Sequence, residues 1–267
     1  ADGSFGCDLR YQGYEICDGK YNLKGLPAVY AAEEEAQTLI IYMKDQVTGL
    51  QVELLYGVLP EYDVITRSAK VINTEEDKIR LTKAQAACID FLHGEFDVIS
   101  FYGRHAMERN MQRTSVGHGA FVIGSRRGTS SHQYNPMMIL AEKETTEDAG
   151  TCYGMSFVYS GGFKAEVEKD QFGQTRMQMG LQEEQFSYPL KKGEEFVIPE
   201  VILTCSNQGL GKLSQNLQRC IRKNLCRGKY KEKVRPVLIN SWEACYFDFT
   251  GEDIYHLAEQ AKDLGID

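Results

Sequence analysis

Between Gln37 and Ser206 apolar and polar side chains change places at every second position in one segment after another, and this confines the chain to pleated structure. Leu50, Val52, Leu54, Tyr56 and Val58 alternate with Gln51, Glu53 and Leu55, which predicts a strand with one face buried. Asp45-Gln-Val-Thr-Gly49 supplies turn chemistry between it and an earlier strand around Thr38–Met43. Ile65, Arg67, Ala69 and Val71 alternate with Thr66, Ser68 and Lys70 in a second amphipathic strand, whose inward arginine needs a partner. Phe163, Ala165 and Val167 alternate with Lys164, Glu166 and Glu168. After a turn at Gln171-Phe-Gly173, Thr175, Met177, Met179 and Leu181 alternate with Arg176 and Gln178, as in a hairpin with one wet face. Further strands are expected near Ile79–Phe91, Asp97–Met107, Met137–Glu142, Tyr153–Ser160 and Glu195–Thr204. So many short strands, with Gly-rich turns and no helix between them, predict a large antiparallel sandwich.

The pattern then changes period. Leu210, Leu213, Leu217, Cys220, Ile221 and Leu225 recur at three- and four-residue steps, with Arg219, Arg222 and Lys223 towards the C-terminal end, where the helix dipole favours cations. Gly228 suits the stop. A short basic linker, Arg227–Arg235, marks the expected boundary between domains at 1–228 and 229–267. Pro236-Val-Leu-Ile239 is a short β-branched run starting at a proline, and reads as a buried parallel strand. The only Trp of the chain, Trp242, stands where that strand would stop. Thr250, with Asp253 three residues on, is set up to cap a final helix whose stripe is Ile254, Leu257, Ala258, Ala261 and Leu264. Strand, loop and helix together read as the opening unit of a (β/α) barrel, with Asp267 standing where the next strand would begin.

Composition bounds the function. The net charge of −8 argues against nucleic acid or an anionic membrane as partner. No apolar run approaches the length of a membrane span. Ala1-Asp-Gly-Ser lacks a signal-peptide pattern and reads as a mid-protein start. The eight cysteines form no close CxxC pair, and His93, His105, His118, His132 and His256 show no ligand spacing. Buried free thiols in a reducing cytoplasm, and no metal or cofactor, are the expectation.

A series of spaced motifs runs through nearly the whole chain: Lys24-Gly-Leu-Pro27, Asp63-Val-Ile-Thr-Arg-Ser68, Gly117-His-Gly119, Gly124-Ser-Arg-Arg-Gly-Thr-Ser-Ser-His-Gln133, Asp170-Gln-Phe-Gly173 and Val234–Phe249. In that order they resemble bacterial family 36 α-galactosidases of the melibiase/raffinase type. The resemblance implies a mainly β fold: a large antiparallel β-supersandwich, galactose mutarotase-like, followed by a helix and the first β/α unit of a truncated (β/α)8 barrel. It implies a retaining enzyme that hydrolyses terminal α-galactosyl residues of galactose-containing oligosaccharides, with a sandwich that is structural and helps build a homo-oligomer.

Retaining hydrolysis needs two carboxylates roughly 5–5.5 Å apart. The family's are aspartates on later barrel strands, one inside a Lys-Trp-Asp motif that does not occur here, so no catalytic residue is assigned in this chain. Glu243 and Asp248 are the carboxylates near the expected barrel mouth, and read as loop residues making structural hydrogen bonds. The resemblance gives Trp242 a place lining the galactose subsite, where an indole offers a flat surface to the apolar face of a pyranose. The alternative is a Trp that packs the barrel lid. In the Gly124–His132 segment Arg126, Arg127, Ser130 and His132 gather donors that suit sugar hydroxyls, an anion or, the preferred reading, an interface. A different class stays open: a carbohydrate-binding or mutarotase-like module, for which His105 or His132 with Glu108 would be the acid/base candidates. Galactosyl transfer would use the same residues as hydrolysis.

Overall fold

The computed structural model describes residues 6–266 and divides into two compact units, one running through Leu225 and the other from Cys226.

The first unit is built on strands β1 (Leu9–Asp18), β2 (Gln37–Asp45), β3 (Gln51–Leu59), β4 (Val64–Ile72), β5 (Ile79–Leu81), β6 (Gln85–Phe91), β7 (Phe96–Arg104) and β8 (Met107–Ser115). After these come β9 (Gly119–Gly124), β10 (Tyr134–Glu142), β11 (Cys152–Phe157), β12 (Phe163–Lys169), β13 (Thr175–Leu181), β14 (Tyr188–Leu190), β15 (Glu195–Val197) and β16 (Val201–Ser206). A ten-stranded antiparallel sheet runs in the order β1-β2-β3-β4-β16-β11-β10-β7-β8, with β15 also on β4. A four-stranded sheet runs β6-β13-β12-β9, and β14 and β5 form a small ribbon.

The central strands of the large sheet are covered on both faces. Val98, Met138, Leu140, Met155 and Phe157 point to the four-stranded sheet and meet Ala87, Ile123, Phe163, Ala165, Val167, Met177 and Met179. On its other face Leu59, Val64, Ile99, Ile139, Ala141 and Ile202 meet the helix α1 (Gly209–Asn224) through Leu210, Leu213, Leu217 and Cys220. Met138, Leu140, Phe163, Met177 and Met179 are fully buried, and each such side chain contributes about 1.5–3 kcal/mol of transfer free energy. Gly154 in β11 lets α1 come this close, since a Cβ there would lie 3.2 Å from Leu213 Cδ2.

Double coverage changes the expected face pattern. In β3 Val52 packs into the core between the sheets while Leu55 and Leu59 are buried on the opposite face, and Val58 is exposed. Arg67 of β4 does find its partner: its guanidinium lies 4.4 Å from the ring centroid of Tyr56, its cross-strand neighbour, and bonds the Ser68 carbonyl. The Asp45 turn forms as expected, with Asp45 Oδ1 accepting from Val47 N at 2.8 Å and Thr48 N at 2.9 Å.

Other expectations are corrected. Residues 79–91 are two strands in different sheets, and the 195–204 segment is two strands split at Ile198-Pro199-Glu200, where proline offers no N–H to the ladder. β1, β8 and β9 had no alternation to announce them. β8 is exposed at almost every position and β1 carries a bulge between Tyr11 and Gly13.

In the second unit the expected strand Pro236–Ile239 is absent. Residues 234–240 have no ladder partner among the described residues, and a parallel strand exists only by hydrogen bonds to neighbours. Val237 is 60% and Leu238 87% exposed. A short helix α2 (Trp242–Cys245) and the helix α3 (Gly251–Asp263) follow. α3 opens with the expected cap: Asp253 Oδ2 accepts from Thr250 N at 2.7 Å, and Thr250 Oγ1 accepts from Asp253 N at 3.4 Å.

Candidate functional site

Trp242 opens α2. Its backbone N–H donates to Asn240 Oδ1 at 2.9 Å, so the Asn240-Ser-Trp triplet is a local turn. The ring meets Phe247 edge-on at 4.8 Å between centroids and Tyr246 at 5.5 Å. Trp242 is 47% exposed, Tyr246 57% and Phe247 85%. An open aromatic cluster of this kind offers flat apolar surface with an N–H at its rim, the chemistry that a pyranose face uses. Glu243 and Asp248 are both exposed in this segment. Asp248 N donates to Cys245 O at 2.9 Å, which closes the turn after α2.

The polar loop lies in the first unit, where the chain crosses from β9 to β10. Ser125 is buried and anchors it: its N–H donates to Phe163 O at 2.9 Å and its hydroxyl to Thr129 O at 2.6 Å. Ser130 N donates to Ser160 O at 2.8 Å, and Thr129 Oγ1 to the same carbonyl at 3.1 Å. Ser125, Thr129 and Ser130 therefore hold the loop itself. Arg126 pairs with Glu184, and Arg127 is exposed beside it. Both line a cleft of about 620 Å³ with Tyr134, Lys164, Gln182 and Glu183. Ser130 and His132 are not among its lining residues, and His132 is exposed.

Lys164, Glu183 and Glu184 were not singled out from the sequence. The Glu183-Glu184 doublet looks like solvated loop, and Lys164 sits on the wet face of its strand. Lys164 Nζ lies 2.7 Å from Glu166 Oε2 and 2.6 Å from Glu183 Oε1. Burial pushes the Lys164 ammonium down, but the hydrogen bonds to Glu166 and Glu183 outweigh it and hold it above its ordinary value. The Glu183 carboxyl is lowered in turn, chiefly by its hydrogen bond to Lys164. Arg126 and Lys164 thus pair with carboxylates, and Arg127 shares their cleft, so the wall is not an open field of positive charge. Such a wall suits neutral polyhydroxyl groups or a polar protein surface better than a free anion.

Glu108, weighed as the carboxylate of a mutarotase-like module, has a hydrogen bond within its own turn. That carboxylate accepts from Ala106 N at 3.0 Å and holds the β7–β8 turn, with His105 exposed beside it.

Fold and loop together define an antiparallel β-sandwich region with a separate helical unit after it. Residues 1–191 match the family model of the glycosyl hydrolase family 36 N-terminal domain, and residues 195–267 match that of melibiase. The chain belongs to glycosyl hydrolase family 36. It is 62% identical over 260 residues to the bifunctional alpha-galactosidase/sucrose kinase AgaSK of Mediterraneibacter gnavus, covering 97% of this chain and 28% of that protein. It is 43% identical to alpha-galactosidase Mel36A of Lactobacillus acidophilus, over 100% of this chain and 36% of that protein. The crystal structure of the alpha-galactosidase AgaA from Geobacillus stearothermophilus superposes with a TM-score of 0.96 at 43% identity, covering 100% of this chain and 37% of that one. A variant of AgaA has been solved in complex with raffinose and another with stachyose. The chain spans roughly a third of the length of these relatives.

Proposed function

We propose that this chain is the N-terminal part of a retaining α-galactosidase that releases terminal α-galactosyl residues from melibiose- or raffinose-type oligosaccharides. The observation that carries the reading is a match to α-galactosidases that runs through both units and breaks at neither. In this reading residues 1–228 are the supersandwich and residues 229–267 begin the catalytic barrel.

The roles divide by chemistry. Two carboxylates must flank the scissile bond, one to protonate the leaving oxygen and one to attack the anomeric carbon. This chain contributes no such pair, and both come from the remainder of the enzyme. Trp242 contributes the flat wall of the galactose subsite, and the polar loop with Arg126 and Arg127 belongs to an interface of the sandwich. The enzyme works in the cytoplasm, supported by eight free thiols, two of them buried as apolar side chains, and it assembles as a homo-oligomer.

The test is product analysis. The complete enzyme containing this chain should release galactose from melibiose and raffinose, with the α-anomer appearing first by proton NMR. The chain alone should release none above a purification control. Failure of the complete enzyme on both sugars, or first appearance of the β-anomer, would sink the reading.

A further inference from the structure

We propose that Tyr246 is the positioning residue for Trp242: its strained backbone and its ring together set the plane of the indole. The inference rests on the reading of Trp242 as a wall of the galactose subsite, and adds the residue that holds that wall in place.

Tyr246 has φ 48° and ψ −114°, the dihedrals of the first central residue of a type II′ β-turn. The turn bond is present, since Asp248 N donates to Cys245 O at 2.9 Å. Cys245-Tyr-Phe-Asp248 is thus a turn of the II′ kind, set directly on the C-terminal end of α2. Its first central position belongs to glycine, because a Cβ crowds the backbone at positive φ. Here it is a tyrosine. A bulky side chain in this conformation stores strain, and persists only where its surroundings over-determine it.

The contacts with Trp242 supply that determination. The Tyr246 ring centroid lies 5.5 Å from that of Trp242 at an interplanar angle of 74°, and the Phe247 ring lies 4.8 Å away at 89°. Consecutive side chains diverge by about 100° in a helix and about 180° in a strand, so neighbours do not ordinarily converge on one ring. The reversal at Tyr246 brings both to the indole. Tyr246 N also donates to Trp242 O at 2.9 Å, so one residue grips Trp242 through backbone and ring. Two steeply inclined rings on one indole block its swing about χ1 and χ2, and such edge-to-face pairs are attractive in themselves.

Glycine would make the same turn without strain, and would leave the indole without one of its two ring contacts. With tyrosine the backbone is strained and the indole is fixed. A flat wall serves a sugar ring only in the orientation that the ring meets. An orientation set in advance removes ordering that binding would otherwise require.

The experiment is a double-mutant cycle in the complete enzyme. It uses Trp242→Ala, Tyr246→Gly, the two together, and Tyr246→Phe, with thermal unfolding as a control for folding. Tyr246→Gly suits the turn and removes the ring, and should lower kcat/KM on raffinose by about tenfold. In the Trp242→Ala background the same change should lower it by less than about twofold, because a residue that acts through Trp242 has nothing left to act on. Tyr246→Phe keeps the ring and should hold kcat/KM to within about threefold of the wild type. In the chain itself, where one Trp supplies the emission, Tyr246→Gly should add a fast component to the anisotropy decay, and Tyr246→Phe should not. An unchanged kcat/KM for Trp242→Ala would overturn the subsite reading on which the inference stands. A loss on Trp242→Ala with none on Tyr246→Gly, with full additivity of the two, or with Tyr246→Phe as weak as Tyr246→Gly, would overturn the positioning role and leave that reading in place.

Discussion

Lys20 Nζ lies 2.5 Å from Glu200 Oε2, with the two side chains 1% and 0% exposed and 180 residues apart in the chain. Glu200 Oε1 accepts from Val29 N at 2.8 Å, and Lys20 Nζ also donates to Tyr21 O at 3.1 Å. One carboxylate thus fastens the segment between β1 and β2 to the start of β16. Burial pushes the Lys20 ammonium below its ordinary value against the pull of Glu200.

Removing one partner strands a buried charge. Glu200→Ala should therefore destabilise the first unit by about 3–5 kcal/mol, read as a lower urea midpoint. Replacing both partners by apolar side chains, Lys20→Met with Glu200→Leu, should cost less than Glu200→Ala alone. Gly57→Ala should also destabilise, because a Cβ there would run into the Lys20 stem and Thr66 Oγ1. An unchanged midpoint for Glu200→Ala would contradict the role given to the pair.

Asp97 sets an acid limit. Lys143 Nζ lies 2.6 Å from its Oδ1 and Arg113 Nε 2.7 Å from its Oδ2, with Ser115 Oγ at 3.1 Å. Burial alone pushes this carboxyl up, but the hydrogen bonds from Lys143, Arg113 and Ser115 outweigh it and hold it below the ordinary 3.8. A carboxyl lowered on folding adds stability above its unfolded value and loses it as the pH falls through the folded one. Asp97→Asn should cost about 1.5–3 kcal/mol at pH 7. The gap to the wild type should narrow as the pH drops below about 4, followed by urea unfolding at a series of pH values. A gap that stays constant down to pH 2 would refute the assignment.

The thiols should divide by burial. Desolvation raises Cys152 to about 11 and Cys220 to about 12. Cys7, Cys88 and Cys205 are exposed. Native protein treated with a disulfide reagent at pH 8 should modify the exposed thiols first, with Cys152 and Cys220 slower by about a hundredfold or more. Denatured, unreduced protein should titrate close to the eight thiols of the sequence. A count near half of that would mean disulfides.

Trp242 should matter in the complete enzyme and be idle in this chain alone. Trp242→Ala in the enzyme should remove stacking of about 1–3 kcal/mol, with kcat falling together with kcat/KM. As the chain has one Trp, its emission reports a single position. Low-millimolar galactose should leave the emission of the isolated chain unchanged. A saturable shift with galactose and none with glucose would place a sugar site within this chain and favour a binding module.

The sequence by itself determined the sandwich, α1, α3 and the cap at Thr250, because each depends on local spacing: period two for half-buried strands, three and four for the helix stripes, and three residues for the cap. It also carried the family, through motifs spread over the whole chain. Tertiary structure alone decided which strands share a sheet, and that separated β5 from β6. It decided that the partner of Arg67 is the ring of Tyr56, its register neighbour on β3. It revealed β8 and β1, whose side chains are exposed on both faces or interrupted by a bulge, and so leave no alternation to read. The same division holds at the polar loop. Arg126 and Arg127 were legible as a dense run of donors. The residues that line the cleft with them, Lys164, Glu183 and Glu184, were not, since they come from strands and turns that approach only when the four-stranded sheet forms. Pro236–Ile239 shows the limit from the other side: a β-branched run has the propensity for a strand, but a strand forms only where neighbouring backbone meets its hydrogen-bonding groups.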